Sequence, residues 1–242
     1  MVYPGYSGTF APPEERVQLF LQRVLPYIQA QEPLQVLDIG CGTGQHLAAL
    51  ARALPQARLT GIDISVANIH AAEATIRILH EGHRLTFLAK DFREMPDQPF
   101  HLIISDSVFH LINAPTETLF RKVANCLIPG GILACTLPYN CWFNRSLWAL
   151  RRLFRGISGF WTDSFILVVA KCLHGQRYSE EFLRERLAYM YILPYCFDGP
   201  QLRGLLLEEL GFALLAAQNL PHTSLAQPKH RLLILQKNIH AN

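Results

Sequence analysis

Between residues 35 and 139, short apolar runs alternate with longer stretches in which apolar residues recur every three or four positions. The short runs predict five strands, at 35–41, 58–65, 85–92, 100–109 and 132–139. The longer stretches predict helices at about 43–54, 66–80 and 117–127. Near-continuous apolar strands that alternate with helices are typical of a parallel sheet covered on both faces, so the pattern predicts an α/β fold.

The pattern changes on both sides of this segment. An earlier helix is predicted to begin at the Pro-Pro-Glu-Glu run 12–15 and to end near Pro26. After residue 139, three helices are predicted at about 145–154, 162–173 and 179–191, followed by a helix at 200–210 and strands at 212–218 and 231–236. We therefore expect an N-terminal arm and helix (1–33), a core (34–139), a helical insertion (140–197) and the remainder of the core (198–242).

Composition narrows the class of protein. Half of the 242 residues are hydrophobic, which is enough for a sizeable core, and the net charge of +3 is too small to argue for a nucleic-acid partner. The start of the chain lacks the pattern of a signal peptide, and the most apolar later run, 165–170, is too short to span a membrane. The six cysteines form no CxxC pair, so we expect reduced thiols and a cytoplasmic location.

A glycine-rich turn follows the first strand, where Asp38 precedes Gly40, Gly42 and Gly44. A strand, a glycine turn and a helix in this order are typical of a nucleotide cradle. The third glycine comes one position too early for a dinucleotide fold, and Asp38 would repel a pyrophosphate but suits an ammonium or a sulfonium. No Gly-Lys-Ser/Thr follows, which excludes a triphosphate-binding loop.

Further acids end the second and third strands. Asp63 lies 25 residues after Asp38, at a position from which it can accept hydrogen bonds from ribose hydroxyls, and Asp91-Phe92 ends the third strand. Any one of these acids alone would be interpreted as a helix cap. Because ligands of open α/β sheets bind at the carboxyl ends of the strands, the three acids together predict a binding site.

With these residues in place, the chain resembles class I S-adenosylmethionine-dependent methyltransferases of the small-molecule type. The resemblance covers about residues 34–139 and 200–238, and it rests on five motifs, at 36–44, 61–65, 90–92, 100–111 and 127–131. It implies a doubly wound, seven-stranded, mostly parallel sheet whose last strand is antiparallel, with a helical lid between strand five and the following helix. It also implies S-adenosylmethionine as the cofactor and S-adenosylhomocysteine as its product.

The resemblance, together with the aromatic residues of the N-terminal arm and the insertion, suggests roles for individual residues. The cofactor-binding candidates are Tyr6, Asp38, Gly40, Cys41, Gly42, Gly44, Asp63, Ile64, Asp91, Phe92, Ser105 and His110. His110 is the candidate general base or pocket floor, and Tyr139 and Tyr191 join it as catalytic candidates. Tyr195 and Asp198 are candidates for contact with the methyl acceptor. Asp106 has no companion Asp-Asn pair near strand five, so no metal is expected.

The methyl acceptor is less well defined by the sequence. The Asn-Pro-Pro-Tyr signature of enzymes acting on exocyclic or amide nitrogens is absent after strand four. The first helix of the insertion is predicted to be amphipathic. Its apolar side would carry Leu147, Leu150, Leu153 and Phe154, and its basic side Arg145, Arg151, Arg152 and Arg155. The basic side is open to three interpretations: a solvated face, a clamp for an anionic group, or peripheral contact with a membrane surface.

The favoured hypothesis is a methyltransferase that moves a methyl group, by in-line transfer, to O, N or C of a small, largely apolar or partly anionic metabolite. One alternative is an RNA or protein methyltransferase that uses the arginines at 151, 152, 155, 184 and 186. The other is a catalytically silent protein that binds S-adenosylmethionine. The expected partner is a small molecule rather than a nucleic acid, and the oligomeric state is left open.

Overall fold

A computed structural model describes residues 11–28, 33–79, 84–157, 159–174, 179–222 and 227–239. Its centre is one seven-stranded sheet with the strand order β3-β2-β1-β4-β5-β7-β6. The strands are β1 (Gln35–Ile39), β2 (Arg58–Asp63), β3 (Leu85–Ala89), β4 (Phe100–Asp106), β5 (Leu127–Pro138), β6 (Phe212–Asn219) and β7 (His230–Lys237).

The first five strands are parallel, and β7 runs antiparallel between β5 and β6. This arrangement confirms the predicted seven-stranded, mostly parallel sheet with an antiparallel last strand. In the centre of the sheet, Asp38 of β1 pairs in register with Gly61 of β2 on one side and Ile104 of β4 on the other. The carboxyl ends of β1, β2 and β4 therefore meet at one edge.

Helices cover both faces of the sheet. They are α1 (Glu14–Val24), α2 (Gln45–Ala53), α3 (Val66–Leu79), α4 (Thr116–Asn125), α5 (Trp142–Gly156), α6 (Phe160–His174), α7 (Glu180–Arg186) and α8 (Pro200–Gly204). Alternate residues of β1 enter different cores, Val36 with α1 and α2, and Leu37 with α4. This alternation buries the strand on both faces and leaves the ends of the strands for chemistry.

Most elements differ from their predicted bounds by one to three residues, and three differ more. The predicted helix 179–191 is α7 followed by a 3₁₀ turn, Leu187–Tyr191. Strand β5 begins five residues earlier than expected, because the Pro-Gly-Gly run 129–131 lies inside the strand. Gly130 has a left-handed φ of 78°, and a Cβ at Gly131 would lie 2.9 Å from the Ile128 carbonyl oxygen, so the glycines allow an irregular start to the pairing with β4. The predicted helix 200–210 is α8 followed by a π-helical turn, Leu205–Glu209.

The predicted sides of α5 are correct for Leu147, which is buried, and for Arg145, Arg152 and Arg155, which are exposed, but wrong for three other residues. Leu150 and Leu153 are exposed, whereas Arg151 is buried. Polar anchors decide which side of α5 faces the protein. Asn144 donates to the carbonyls of Tyr139 (2.7 Å) and Lys229 (2.9 Å), and Arg151 donates to the Ile192 carbonyl (2.9 Å).

Helix α6 is the most apolar of the insertion helices but has only 15 residues. Among the described residues, no helix combines the length and the hydropathy that crossing a membrane requires.

Candidate active site

The glycine turn between β1 and α2 has a left-handed backbone. Gly40, Gly42 and Gly44 have φ values of 74°, 53° and 83°. A Cβ at Gly40 would lie 2.3 Å from Val108 Cγ2, and a Cβ at Gly44 would lie 2.6 Å from the ring of Phe87. At these two positions glycine is required by φ and by packing within the chain.

A small recess opens at the carboxyl edge, beside this turn. The residues that line it are Pro12, Asp38, Gly40, Cys41, Gly42, His46 and Asp106. Four of them were predicted to bind the cofactor. Pro12 and His46 were missed, and Asp106 had been considered only as a metal ligand. Tyr6 lies outside the described residues, so its predicted contact stays a prediction.

Asp38 is the most unusual group in the recess. It is buried, and its Oδ2 atom has no hydrogen-bond partner among the described residues. Burial raises the pKa of Asp38 well above its ordinary value, and the nearby carboxylates of Asp106 and Asp63 raise it further. A buried acceptor next to two other acids is stabilised by a ligand that carries positive charge.

Asp106 at the end of β4 has its charge neutralised by the N-terminal helix. Arg16 donates from Nε to Oδ2 (2.7 Å) and from Nη2 to Oδ1 (2.6 Å), and Thr136 donates to Oδ1 (2.6 Å). Burial alone would raise the pKa of Asp106, but the hydrogen bonds and charge of Arg16 outweigh it and hold this pKa below its usual range. This bidentate pair fixes α1 over the recess.

The residue after Asp106 is in a strained conformation. Ser107 has a φ of 63°, which is rare for a side chain other than glycine. Its N–H donates to Thr136 Oγ1 (2.7 Å), and its hydroxyl accepts from Arg16 (2.8 Å). Strain of this kind concentrates at functional sites, where surrounding contacts hold it in place.

Asp63 at the end of β2 supports the glycine turn. It accepts hydrogen bonds from the N–H groups of Gly42 (2.9 Å) and Ser65 (2.8 Å). The next residue, Ile64, exposes its side chain. Asp63 therefore joins the end of β2 to the turn after β1, next to the recess.

The third-strand residues lie farther along the same edge. Asp91 accepts from the Arg93 N–H (2.8 Å) and forms an ion pair with the Arg93 guanidinium (2.6 Å), and these contacts lower the pKa of Asp91. Phe92 is buried in the core, with the Lys122 ammonium 5.6 Å from its ring centroid. Asp91 thus caps the short helical turn that follows β3.

Ser105 is fully buried in β4, where its hydroxyl donates to the Ile39 carbonyl of β1 (3.1 Å). It ties the two central strands together just before the recess. In the part of the chain that the structure describes, no three His, Cys, Asp or Glu side chains converge as metal ligands would.

A pair of histidines lies beyond β4. The rings of His110 and His230 are 5.3 Å apart between centroids, and His110 Nδ1 and His230 Nε2 are buried with no hydrogen-bond partner in the described part of the chain. Burial lowers the pKa of His230 to about 4 and that of His110 well below its ordinary value, and the charge of Arg151 contributes to both shifts. Both imidazoles are therefore neutral at neutral pH.

The two tyrosines predicted as catalytic have different surroundings. Tyr139 follows β5, with the Arg231 guanidinium 4.5 Å from its ring centroid, and it forms an isolated bridge with Asp198. Asp198 is buried and accepts from Arg203 (2.7 Å) and Arg231 (2.7 Å). The Tyr191 hydroxyl donates to Asp163 within the insertion. His110 and Tyr139 thus follow adjacent strands, whereas the Tyr191 hydroxyl is engaged by α6.

Because His230 binds a proton more weakly in the folded chain than in the unfolded chain, it makes stability depend on pH. The contribution of neutral His230 to the free energy of unfolding is fully present above the unfolded pKa of about 6.5, and it is lost as the pH drops toward the folded pKa. We expect the free energy of unfolding of the wild type, relative to His230→Gln, to fall by about 2 kcal/mol between pH 7 and pH 4.5. Urea unfolding at a series of pH values measures this difference.

His70→Gln is the matched control, since His70 is largely exposed on α3. Its stability should follow that of the wild type at every pH. Parallel curves for the wild type and His230→Gln would show that His230 is not held neutral in the folded chain.

Comparisons with known proteins agree with this geometry. Residues 36–131 match the family described as a methyltransferase domain. The chain is 34% identical, over 111 residues, to trans-aconitate 2-methyltransferase of Streptomyces avermitilis, an overlap of 46% of this chain and 41% of the relative. It is 33% identical, over 112 residues, to malonyl-[acyl-carrier protein] O-methyltransferase of a Paenibacillus species, covering 45% and 40%. The chain thus spans about two fifths of the length of these relatives.

Solved structures extend the likeness to nearly the whole chain. Magnesium protoporphyrin IX methyltransferase of Synechocystis, with bound S-adenosylhomocysteine, superposes with a TM-score of 0.60 at 18% identity, covering 96% of this chain and 90% of that one. The [4+2]-cyclase SpnF superposes with a TM-score of 0.60 at 16% identity, covering 99% and 88%. Residues 36–131 are therefore similar to a methyltransferase domain, and the chain has the fold of class I, Rossmann-like methyltransferases.

Proposed function

We propose that this protein is an S-adenosylmethionine-dependent methyltransferase that acts on O, N or C of a small, largely apolar or partly anionic acceptor. The observation that carries the proposal is the buried Asp38 carboxylate, whose Oδ2 atom lacks a partner among the described residues and faces two other acids in a recess beside the glycine turn. The match to a methyltransferase domain and the charge of this recess both favour a cofactor that carries positive charge.

The residues of the recess fit S-adenosylmethionine. Its ammonium suits Asp38, and the backbone at Gly40 and Gly42 would line its methionine part. Asp63 would accept from the ribose hydroxyls, and Asp91 from the adenine amino group. The bound cofactor supplies a methyl group that its sulfonium has already activated.

The protein's own contribution would be to orient the acceptor and to move a proton where the acceptor must lose one. His110 is the candidate proton acceptor, because its buried ring is neutral at neutral pH and its Nδ1 atom has no partner within the described structure. Its lowered pKa makes it a weak base, which a nearby anionic group would strengthen. Tyr139, which follows the neighbouring strand β5, is the candidate for positioning the acceptor.

The surroundings of His110 favour an acceptor that carries an anionic group. The positive charges of Arg151 and Arg16 act on both His110 and His230, and the negative charge of Asp106 opposes them in part. An anionic group beside the two rings would be attracted by the positive charges and could accept a hydrogen bond from a ring N–H. The names of the relatives, trans-aconitate and malonyl-[acyl-carrier protein] methyltransferases, support the same class of acceptor.

The helical insertion is proposed as the lid over this acceptor. It leaves the sheet at the carboxyl end of β5 and is held there by Asn144 and Arg151. The arm at residues 1–10, which the sequence predicts to be part of the lid, lies outside the described residues, and Pro12 lines the recess. We also propose a cytoplasmic location, in which cysteines such as Cys196, whose pKa burial raises to about 12, stay reduced.

The second candidate function is binding of S-adenosylmethionine without methyl transfer. It is supported by the likeness to a [4+2]-cyclase, which shares the fold although its name describes a different reaction. Turnover with a panel of carboxylic and phenolic acceptors distinguishes a methyltransferase from such a binder, which would release no methylated product.

Removing the Asp63 carboxylate should weaken cofactor binding. In Asp63→Ala we expect the Kd for S-adenosylhomocysteine, measured by calorimetry, to rise tenfold or more, because charge-assisted hydrogen bonds to the ribose and to the Gly42 N–H are lost. Asp97→Ala is the control, since Asp97 is an exposed acid that pairs with Lys122 away from the recess. An unchanged Kd in Asp63→Ala would remove Asp63 from the binding site.

Replacing His110 should affect turnover more than cofactor binding. For His110→Ala we expect kcat to fall by about a hundredfold or more, as loss of a general base would give, with a smaller change in the Kd for S-adenosylhomocysteine. Methyl transfer from labelled S-adenosylmethionine to an active acceptor measures kcat, and His70→Ala is the matched control. Equal kcat values for His110→Ala and the wild type would show that His110 takes no part in the chemistry.

A further inference from the structure

Helix α5 has a stripe of large apolar side chains on its solvent side. Trp142, Leu150 and Leu153 are exposed, and Ile157 just after the helix is 58% exposed. At about 100° per residue these positions fall within one quarter of the helix circumference, opposite the buried Asn144 and Arg151. The stripe therefore belongs to the helix face that points away from the protein.

Helix α6 has exposed apolar side chains of its own. Trp161 is 84% exposed, Phe165 is 61% exposed, and Val168 is also exposed. Their spacing of three and four places them on one face of α6, which follows α5 closely along the chain. The seven side chains Trp142, Leu150, Leu153, Ile157, Trp161, Phe165 and Val168 are called the apolar stripe below.

This concentration is unusual for the molecule. Eight of the sixteen exposed large hydrophobic side chains in the described part of the chain lie between residues 142 and 169. Scattered exposed apolar residues need no explanation, but a concentration of this size marks a surface that contacts something else.

The charges around the stripe are almost all positive. Arg145 and Arg152 lie along one flank of α5, Arg155 lies in its last turn, and all three are exposed. Residues 142–174 contain five basic residues and one acidic residue. Arg151 is buried on the opposite side of α5 and Lys171 pairs with Glu180, so the three exposed arginines supply the positive charge beside the stripe. The one acid, Asp163, accepts a hydrogen bond from Tyr191.

We propose that α5 and α6 dock on the surface of a membrane that contains anionic phospholipid. Each helix has 15 residues and would lie in the plane of the interface rather than cross it. The two exposed tryptophans suit the headgroup level, and the arginines suit the anionic headgroups. A second copy of the chain fits less well, because pairing of two identical stripes would bring the arginines of both copies together.

The apolar stripe lies near the proposed active site. Helix α5 begins four residues after β5 ends, at the same edge of the sheet as the recess. Docking would therefore hold the acceptor side of the protein next to the membrane. The inference goes beyond the proposed methyl transfer and would stand even if the reaction were a different one.

Vesicle flotation of the full chain tests the docking. We expect the protein to float with vesicles of phosphatidylcholine and phosphatidylglycerol, not with phosphatidylcholine alone, and to be released by salt. Arg145→Gln, Arg152→Gln and Arg155→Gln together should lower the partition constant about a hundredfold, since each arginine near an anionic surface contributes about 1 kcal/mol. Arg52→Gln, Arg58→Gln and Arg121→Gln together remove the same charge elsewhere and should leave binding close to that of the wild type.

The apolar contribution is tested separately. Trp161→Ser with Phe165→Ser should lower partitioning at least tenfold, whereas Leu215→Ser with Ile239→Ser, which remove exposed apolar side chains elsewhere, should not. Binding of S-adenosylhomocysteine by each variant checks that it is folded. Three results would each overturn the proposal: no flotation with either vesicle, equal flotation with both, or a dimer that Trp161→Ser with Phe165→Ser dissociates.

Discussion

Three carboxylates lie at the carboxyl ends of adjacent strands, Asp38 on β1, Asp63 on β2 and Asp106 on β4. Their mutual repulsion in a largely buried edge is the constraint on which the rest of the site depends. Asp106 is neutralised by Arg16, and Asp63 accepts two backbone N–H groups. Asp38 Oδ2 has no such partner within the described residues, so a positively charged ligand group would stabilise it.

Asp198 differs from Asp38 in having its charge paired within the chain. Asp198 is equally buried, but Arg203 and Arg231 bind both of its oxygens and connect α8 to β7. The chain thus satisfies a buried carboxylate where the role is structural. The same device, Arg16 on Asp106, fixes α1 at the edge of the recess, while Asn144 and Arg151 fix the insertion on the other side.

Much of this could be predicted from the sequence, because its signals are local. The strand-turn-helix of residues 36–44 and the acids at strand ends are short patterns, and they identified the fold and Asp38. The Arg16–Asp106 pair joins residues 90 positions apart and carries no pattern. His230 lies beside His110 only because β7 pairs with β5. The exposure of Leu150 and Leu153 depends on hydrogen bonds that anchor α5, which cannot be predicted from the spacing of apolar residues.

The central claim is that Asp38 receives a cationic group of the cofactor. Calorimetry of S-adenosylhomocysteine binding, in buffers of different ionisation enthalpy, tests it directly. A carboxyl group whose pKa is raised in the free protein should lose its proton when an ammonium binds. Binding should therefore release protons and strengthen as the pH rises toward neutrality, below the pKa of the ligand's own amino group. In Asp38→Asn the proton release should disappear. Binding without proton release in the wild type, or the same release in Asp38→Asn, would contradict the account.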